Sequence, residues 1–124
     1  MKYLSVSRLL VFSLFVAYSV LLCAAKSSFH LKNLCVEYAE TPLGIDIEKP
    51  RFSWQMAVPS DRRGGMQTAY QITVTDEHGT QVWNSGKVMS DISLNIEYEG
   101  QSLQPVTRYI WTICVWDNKG KNAS

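Results

Sequence analysis

At 124 residues, 46% of them hydrophobic and 19% charged, the chain has the make-up of a folded domain and falls outside the collagen, coiled-coil and disordered classes. Its formal net charge of +1 gives it no electrostatic footprint for nucleic acid, so that class of partner is excluded.

The chain opens with Lys2 and Arg8 ahead of an apolar run from Leu9 to Leu22, followed by Cys23, Ala24 and Ala25. A basic start, a short apolar stretch and small residues before a cut mark a secretory signal. The run falls short of the roughly 20 apolar residues that a spanning helix needs. Residues 1–25 are therefore read as a signal helix cleaved after Ala25, and residues 26–124 as one domain with no membrane span. Cys23 admits a second reading, an acylated lipoprotein start. Leu22 counts against it, because that processing favours a small residue before the cysteine. Either route takes the protein out of the cytoplasm, to a secreted or periplasmic location. Losing Lys2 and Arg8 lowers the basic residues from 12 to 10 against 11 acids, a mature net charge of −1.

Beyond Lys26 no helical period persists, and apolar residues alternate with polar ones. Leu34, Val36 and Tyr38 fall on one face of a first strand, with Asn33, Cys35 and Glu37 on the other. Phe52, Trp54 and Met56 oppose Arg51, Ser53 and Gln55 in a second. Tyr70, Ile72 and Val74 oppose Gln71, Thr73 and Thr75 in a third. Alternation of this kind is what a half-buried strand requires. Pro42 and Pro50 bracket an irregular link, Val58 to Gly65 reads as a polar loop, and Asp76 to Thr80 reads as a hairpin with Gly79 at a left-handed position. "VWNSGKV" and "SLNIEYEG" supply two further short strands. About six strands with frequent turns and no helix predict an all-β sandwich of antiparallel sheets.

The longest strand pattern comes last, in "LQPVTRYIWTICVWD", Leu103 to Asp117. Tyr109, Trp111, Ile113 and Val115 share one face, and "LxPxTxY" matches the tyrosine corner, in which a Tyr hydroxyl bonds to backbone just upstream. With Trp54 on an earlier strand, this resembles an immunoglobulin or fibronectin type III domain. Such a fold has a seventh strand beside the sixth. Lys121 to Ser124 is too short to pair along ten residues, so the last strand is expected to be missing and the sixth strand to form an edge.

"PLGIDIEKPRFSWQM", "GGMQTAYQITV", "VWNSGKVMSD" and "YEGQSLQPVTRYIWTICVWDNKGK" resemble, in order and spacing, the N-terminal β-sandwich module of bacterial α-L-rhamnosidases. The resemblance runs from about Leu34 to Lys121. Its "KPRFSW" and "QTAYQI" blocks are the most specific, because sandwich packing alone does not dictate their polar residues. It implies a truncated piece of a glycoside hydrolase whose catalytic acids reside in a helical barrel far downstream. The implied partners are the other domains of that enzyme and, through it, plant-derived glycans bearing rhamnose.

No catalytic residue is expected here. Glycoside hydrolysis needs two carboxyl groups facing one another across a sugar, whereas Asp46, Glu48, Asp61, Asp76, Glu77 and Asp91 all fall in loops or turns. His30 and His78 lack neighbours at metal-ligand spacing, Gly64-Gly65 lacks the context of a phosphate loop, and no cofactor is implied. Trp54 and Trp111 read as core. Trp83 and Trp116 admit two readings, a sugar-stacking platform or packing. Strand parity turns Ile110, Cys114 and Trp116 outward together, an apolar stripe that reads as an inter-domain contact. Cys35 and Cys114 are expected on opposite outer surfaces, too far apart to bridge. A free-standing carbohydrate- or protein-binding module is the alternative that the fold by itself allows.

Overall fold

The computed structural model describes residues 29–124, whose regular elements are all strands. The signal segment lies outside the described residues. Seven strands follow in order: β1 (His30–Val36), β2 (Arg51–Ala57), β3 (Gln67–Asp76), β4 (Gln81–Asn84), β5 (Ile96–Glu97), β6 (Tyr109–Asp117) and β7 (Asn122–Ala123). They form two antiparallel sheets, ordered β1-β2-β5 and β4-β3-β6-β7. The predicted sandwich is the observed fold.

The alternating residues build its interior. In the larger sheet Tyr70 pairs with Val115, Ile72 with Ile113 and Val74 with Trp111, so each rung sets two apolar side chains against the facing sheet. Phe52 meets them with its ring 4.8 Å from Trp111. Trp54 lies edge-on to Tyr70 at 5.3 Å and is fully buried. Trp111 and Tyr70 are thus matched by β2 residues two positions apart, as period-two packing demands.

The tyrosine corner is present. The Tyr109 hydroxyl accepts a hydrogen bond of 2.9 Å from the Gln104 backbone N–H, which ties the start of β6 to the turn before it. A second tyrosine escaped prediction: Tyr98 is 1% exposed and donates its hydroxyl proton to the Gln101 carbonyl at 2.7 Å. Gly100 permits this closeness, since a Cβ there would collide with the Tyr98 hydroxyl and with Cβ of Trp83.

Two expectations are corrected. Tyr38 does not continue the inward face of β1. The strand turns at Glu37 and Tyr38, which take φ of 49° and 65°, and the Tyr38 side chain is left exposed. The seventh strand is also present, as a two-residue start. Asn122 pairs with Trp116 and Ala123 with Val115, because Asp117 bends the chain back: its carboxylate accepts the backbone N–H groups of Lys119 and Lys121. The rest of the edge stands as expected. Among the described residues no strand flanks Tyr109 to Ile113 on the side away from β3.

Candidate functional site

Arg51, Ser53 and Gln67, polar residues of the two specific blocks, prove to be structural anchors. Between β4 and β5 the chain runs from one sheet to the other without forming a strand of its own. Val88 bridges to Tyr70, and further on the Ser93 carbonyl accepts the Trp54 backbone N–H at 3.0 Å. Gln67, itself buried, holds this crossing in place. Its amide nitrogen donates to the carbonyls of Ser90 (3.1 Å) and Ile92 (2.8 Å), while its Oε1 accepts the Trp54 indole N–H at 2.9 Å. Ser53, also buried, accepts the backbone N–H of Asn95 through its hydroxyl. A buried polar group is tolerated only when bonded; Gln67 turns that requirement into a fastener between the sheets, and Ser53 ties the end of the crossing to β2 within the smaller sheet.

Arg51 serves the outer face of the smaller sheet. Its guanidinium makes a two-pronged ion pair with Glu37, Nε to Oε1 at 3.1 Å and Nη2 to Oε2 at 2.8 Å, and stands over the Tyr38 ring at 5.3 Å. The Tyr38 hydroxyl in turn donates to Asn95 Oδ1 at 2.9 Å. Left-handed backbone at non-glycine residues costs on the order of 1 kcal/mol or more each, and this cluster holds the turn in spite of that cost. The hydrogen bonds from Arg51 keep the Glu37 carboxyl below its ordinary pKa, against a smaller opposing effect of burial. A carboxylate with a depressed folded-state pKa stabilises the fold above its unfolded value and ceases to do so as pH falls through the folded value. Urea midpoints should therefore drop as pH is lowered below about 4.5, with a shallower slope in Glu37→Gln. Superimposable pH profiles for the two proteins would mean that the pair contributes nothing.

No arrangement of acids resembles a hydrolytic centre. Asp46, Glu48, Asp61, Glu77 and Asp91 are exposed. Asp76 accepts the backbone N–H groups of His78 and Thr80 in its hairpin. A shallow cleft near the start of β1, lined by Phe29, Met56 and Val58 with Arg62, Arg63 and Lys119 around it, contains one acid, Asp117. That carboxylate is already engaged in the turn to β7. Among the described residues no group of three or more His, Cys, Asp or Glu could hold a metal ion.

The structure separates Trp83 from Trp116. Trp83 points inward, 6.0 Å from the Phe52 ring and 5.0 Å from Tyr98, so the two do not form a sugar platform. Trp116 lies on the outer face with Ile110 and Cys114, as parity predicted. Ile110 is 54% exposed, while Cys114 and Trp116 are half-buried. The Lys87 ammonium stands 4.5 Å from the centre of the Trp116 ring and occupies a face on which a sugar would stack. Cys35 and Cys114 belong to different sheets, and no disulfide joins them.

Comparison with known proteins agrees with the geometry. Residues 31–124 match the family model described as "Rha78A-like, N-terminal immunoglobulin domain". An α-L-rhamnosidase of Streptomyces avermitilis is 43% identical over 98 residues, 76% of this chain and 9% of that protein. One from Formosa agariphila is 33% identical over 105 residues, 80% of this chain and 11% of that protein. The crystal structure of the S. avermitilis α-L-rhamnosidase complexed with L-rhamnose superposes with a TM-score of 0.70 at 41% identity, over 77% of this chain and 10% of that one. The α-L-rhamnosidase from Dictyoglumus thermophilum gives 0.68 at 35% identity, over 80% and 12%. The chain thus spans about a tenth of the length of the relatives it matches. With its two sheets, its corner tyrosine and its anchored crossing, it belongs to the family of N-terminal immunoglobulin-like domains of α-L-rhamnosidases.

Proposed function

We propose that the chain serves as a non-catalytic module of a larger exported α-L-rhamnosidase, one that removes terminal L-rhamnose from glycosides or polysaccharides. The family match across the whole sandwich, at a tenth of the relatives' length, carries this reading. The scattered, solvated or turn-capping acids agree with it, since hydrolysis needs an opposed pair. On this reading Ile110, Cys114 and Trp116 face other domains of the same enzyme, and the basic, apolar start of the chain directs export with cleavage after Ala25.

The 124-residue chain should give no turnover of an aryl α-L-rhamnoside, whereas the product of its gene read beyond Ser124 to the stop codon should hydrolyse it and begin, after export, at Lys26. Turnover by the short chain that disappears when one acid is replaced would overturn the reading. So would a reading frame that ends at Ser124.

A further inference from the structure

Leu43, Ile45 and Ile47 stand at alternate positions between Pro42 and Pro50, with Gly44, Asp46 and Glu48 interleaved. This is the pattern of a strand with one face covered. Yet residues 43–49 form no strand, and the three apolar side chains are 97%, 37% and 48% exposed. A loop that owed nothing to a partner would have no reason to repeat an apolar residue at every second place.

The fold fixes where this segment emerges. It leaves after the Val36–Ala39 bridge and returns at Arg51, and the Phe52–Trp111 contact puts that end of β2 beside the start of β6. Exposed Tyr38 and Val106 belong to the same end. We propose that residues 42–49 are the docking segment of this module. Their apolar edge seats in an apolar groove, rimmed by Lys or Arg, on the portion of the same polypeptide that follows the sandwich.

This rests on the reading of the chain as part of a longer enzyme, and three observations select that occupant. The matched relatives are roughly ten times longer, this chain covering 9% and 11% of two of them, so a partner surface is available in cis at high effective concentration. The register of β7, Asn122 against Trp116 and Ala123 against Val115, directs the chain back along β6 toward Tyr109, the end from which the segment projects. Finally, within the segment Asp46 and Glu48 outnumber Lys49, which calls for a cationic rim opposite.

Amide hydrogen exchange of residues 43–48, measured in the 124-residue chain and in the gene product carried to its stop codon, tests the proposal. Exchange should slow by about tenfold or more in the longer product, and Leu43→Ser/Ile45→Ser/Ile47→Ser should abolish that slowing without moving the urea midpoint of the short chain. Equal exchange in both, in a product that hydrolyses rhamnosides, would sink the docking segment and leave the proposed function standing. A frame that stops at Ser124 would remove both. Slow exchange in the short chain that coincides with a dimer by light scattering would assign the segment to a second copy and overturn the proposal.

Discussion

Trp54→Ala is expected to lower the free energy of unfolding by about 3–5 kcal/mol, the usual cost of deleting a fully buried large aromatic. A domain of this size is stable by only about 5–15 kcal/mol, so the variant should stand near the margin at ambient temperature. The effect has two separable parts. Trp54→Phe keeps an aromatic ring against Tyr70 but leaves Gln67 Oε1 without its indole donor. Gln67→Leu does the converse, orphaning a buried indole N–H at about 1–3 kcal/mol and releasing the carbonyls of Ser90 and Ile92. Because replacing both partners of a buried hydrogen bond costs less than stranding either one, the double variant should lose less stability than the two single losses added together. Urea titrations of the four proteins would decide the matter. Strict additivity would mean that the Trp54–Gln67 bond carries no coupling.

The second large effect concerns the open side of β6. Extending the chain past Ser124 with residues that continue β7 should raise the urea midpoint and steepen its slope. From Val115 paired with Ala123, each added residue moves one step back along β6. Alternate additions then fall opposite Ile113, Trp111 and Tyr109, and should be apolar to cover them. Cross-strand pairs contribute roughly 0.2–1 kcal/mol each, so the five opposite Tyr109 to Ile113 would add about 1–5 kcal/mol. The unextended chain should be prone to association through the same edge, where Ile110 adds exposed apolar surface. An extension of equal length with proline at alternate positions cannot pair and should leave the midpoint unmoved. Equal midpoints for the pairing and proline-bearing extensions would show that the edge is not a source of instability.

Period two carried most of this architecture into the sequence. β2, β3 and β6 each cover one face, so their alternation is a direct imprint of the sandwich, and the outward placement of Ile110, Cys114 and Trp116 follows from the same count. Features held by single side chains left no such imprint. Tyr38 reads as inward because nothing in "VEYA" announces a turn with two left-handed residues; that turn is stabilised by Arg51, fourteen positions further along. The crossing between β4 and β5 follows backbone carbonyls bonded to Gln67 and a backbone N–H bonded to Ser53, and a lone polar residue in a strand has no period to betray it. Lys87 over Trp116 is likewise a contact between distant parts of the chain. Leu43, Ile45 and Ile47 were legible as an alternation, but two flanking prolines gave the stretch the look of a link.

The division of the chain between the sheets has a consequence for the order of assembly. The smaller sheet draws β1 and β2 from the first half of the described residues and β5 from the second, and the Trp54 backbone N–H waits for Ser93. During synthesis, at roughly 5–20 residues per second, the β1–β2 hairpin emerges first and shows Phe52 and Trp54 to solvent. Nothing within its own span can cover them. Their lids are Tyr70, Trp83 and Trp111, and the last of these clears only as β6 emerges. The module therefore commits to its native state late and all at once, and until then its nascent chain holds an aromatic surface open to holdase chaperones and to its neighbours.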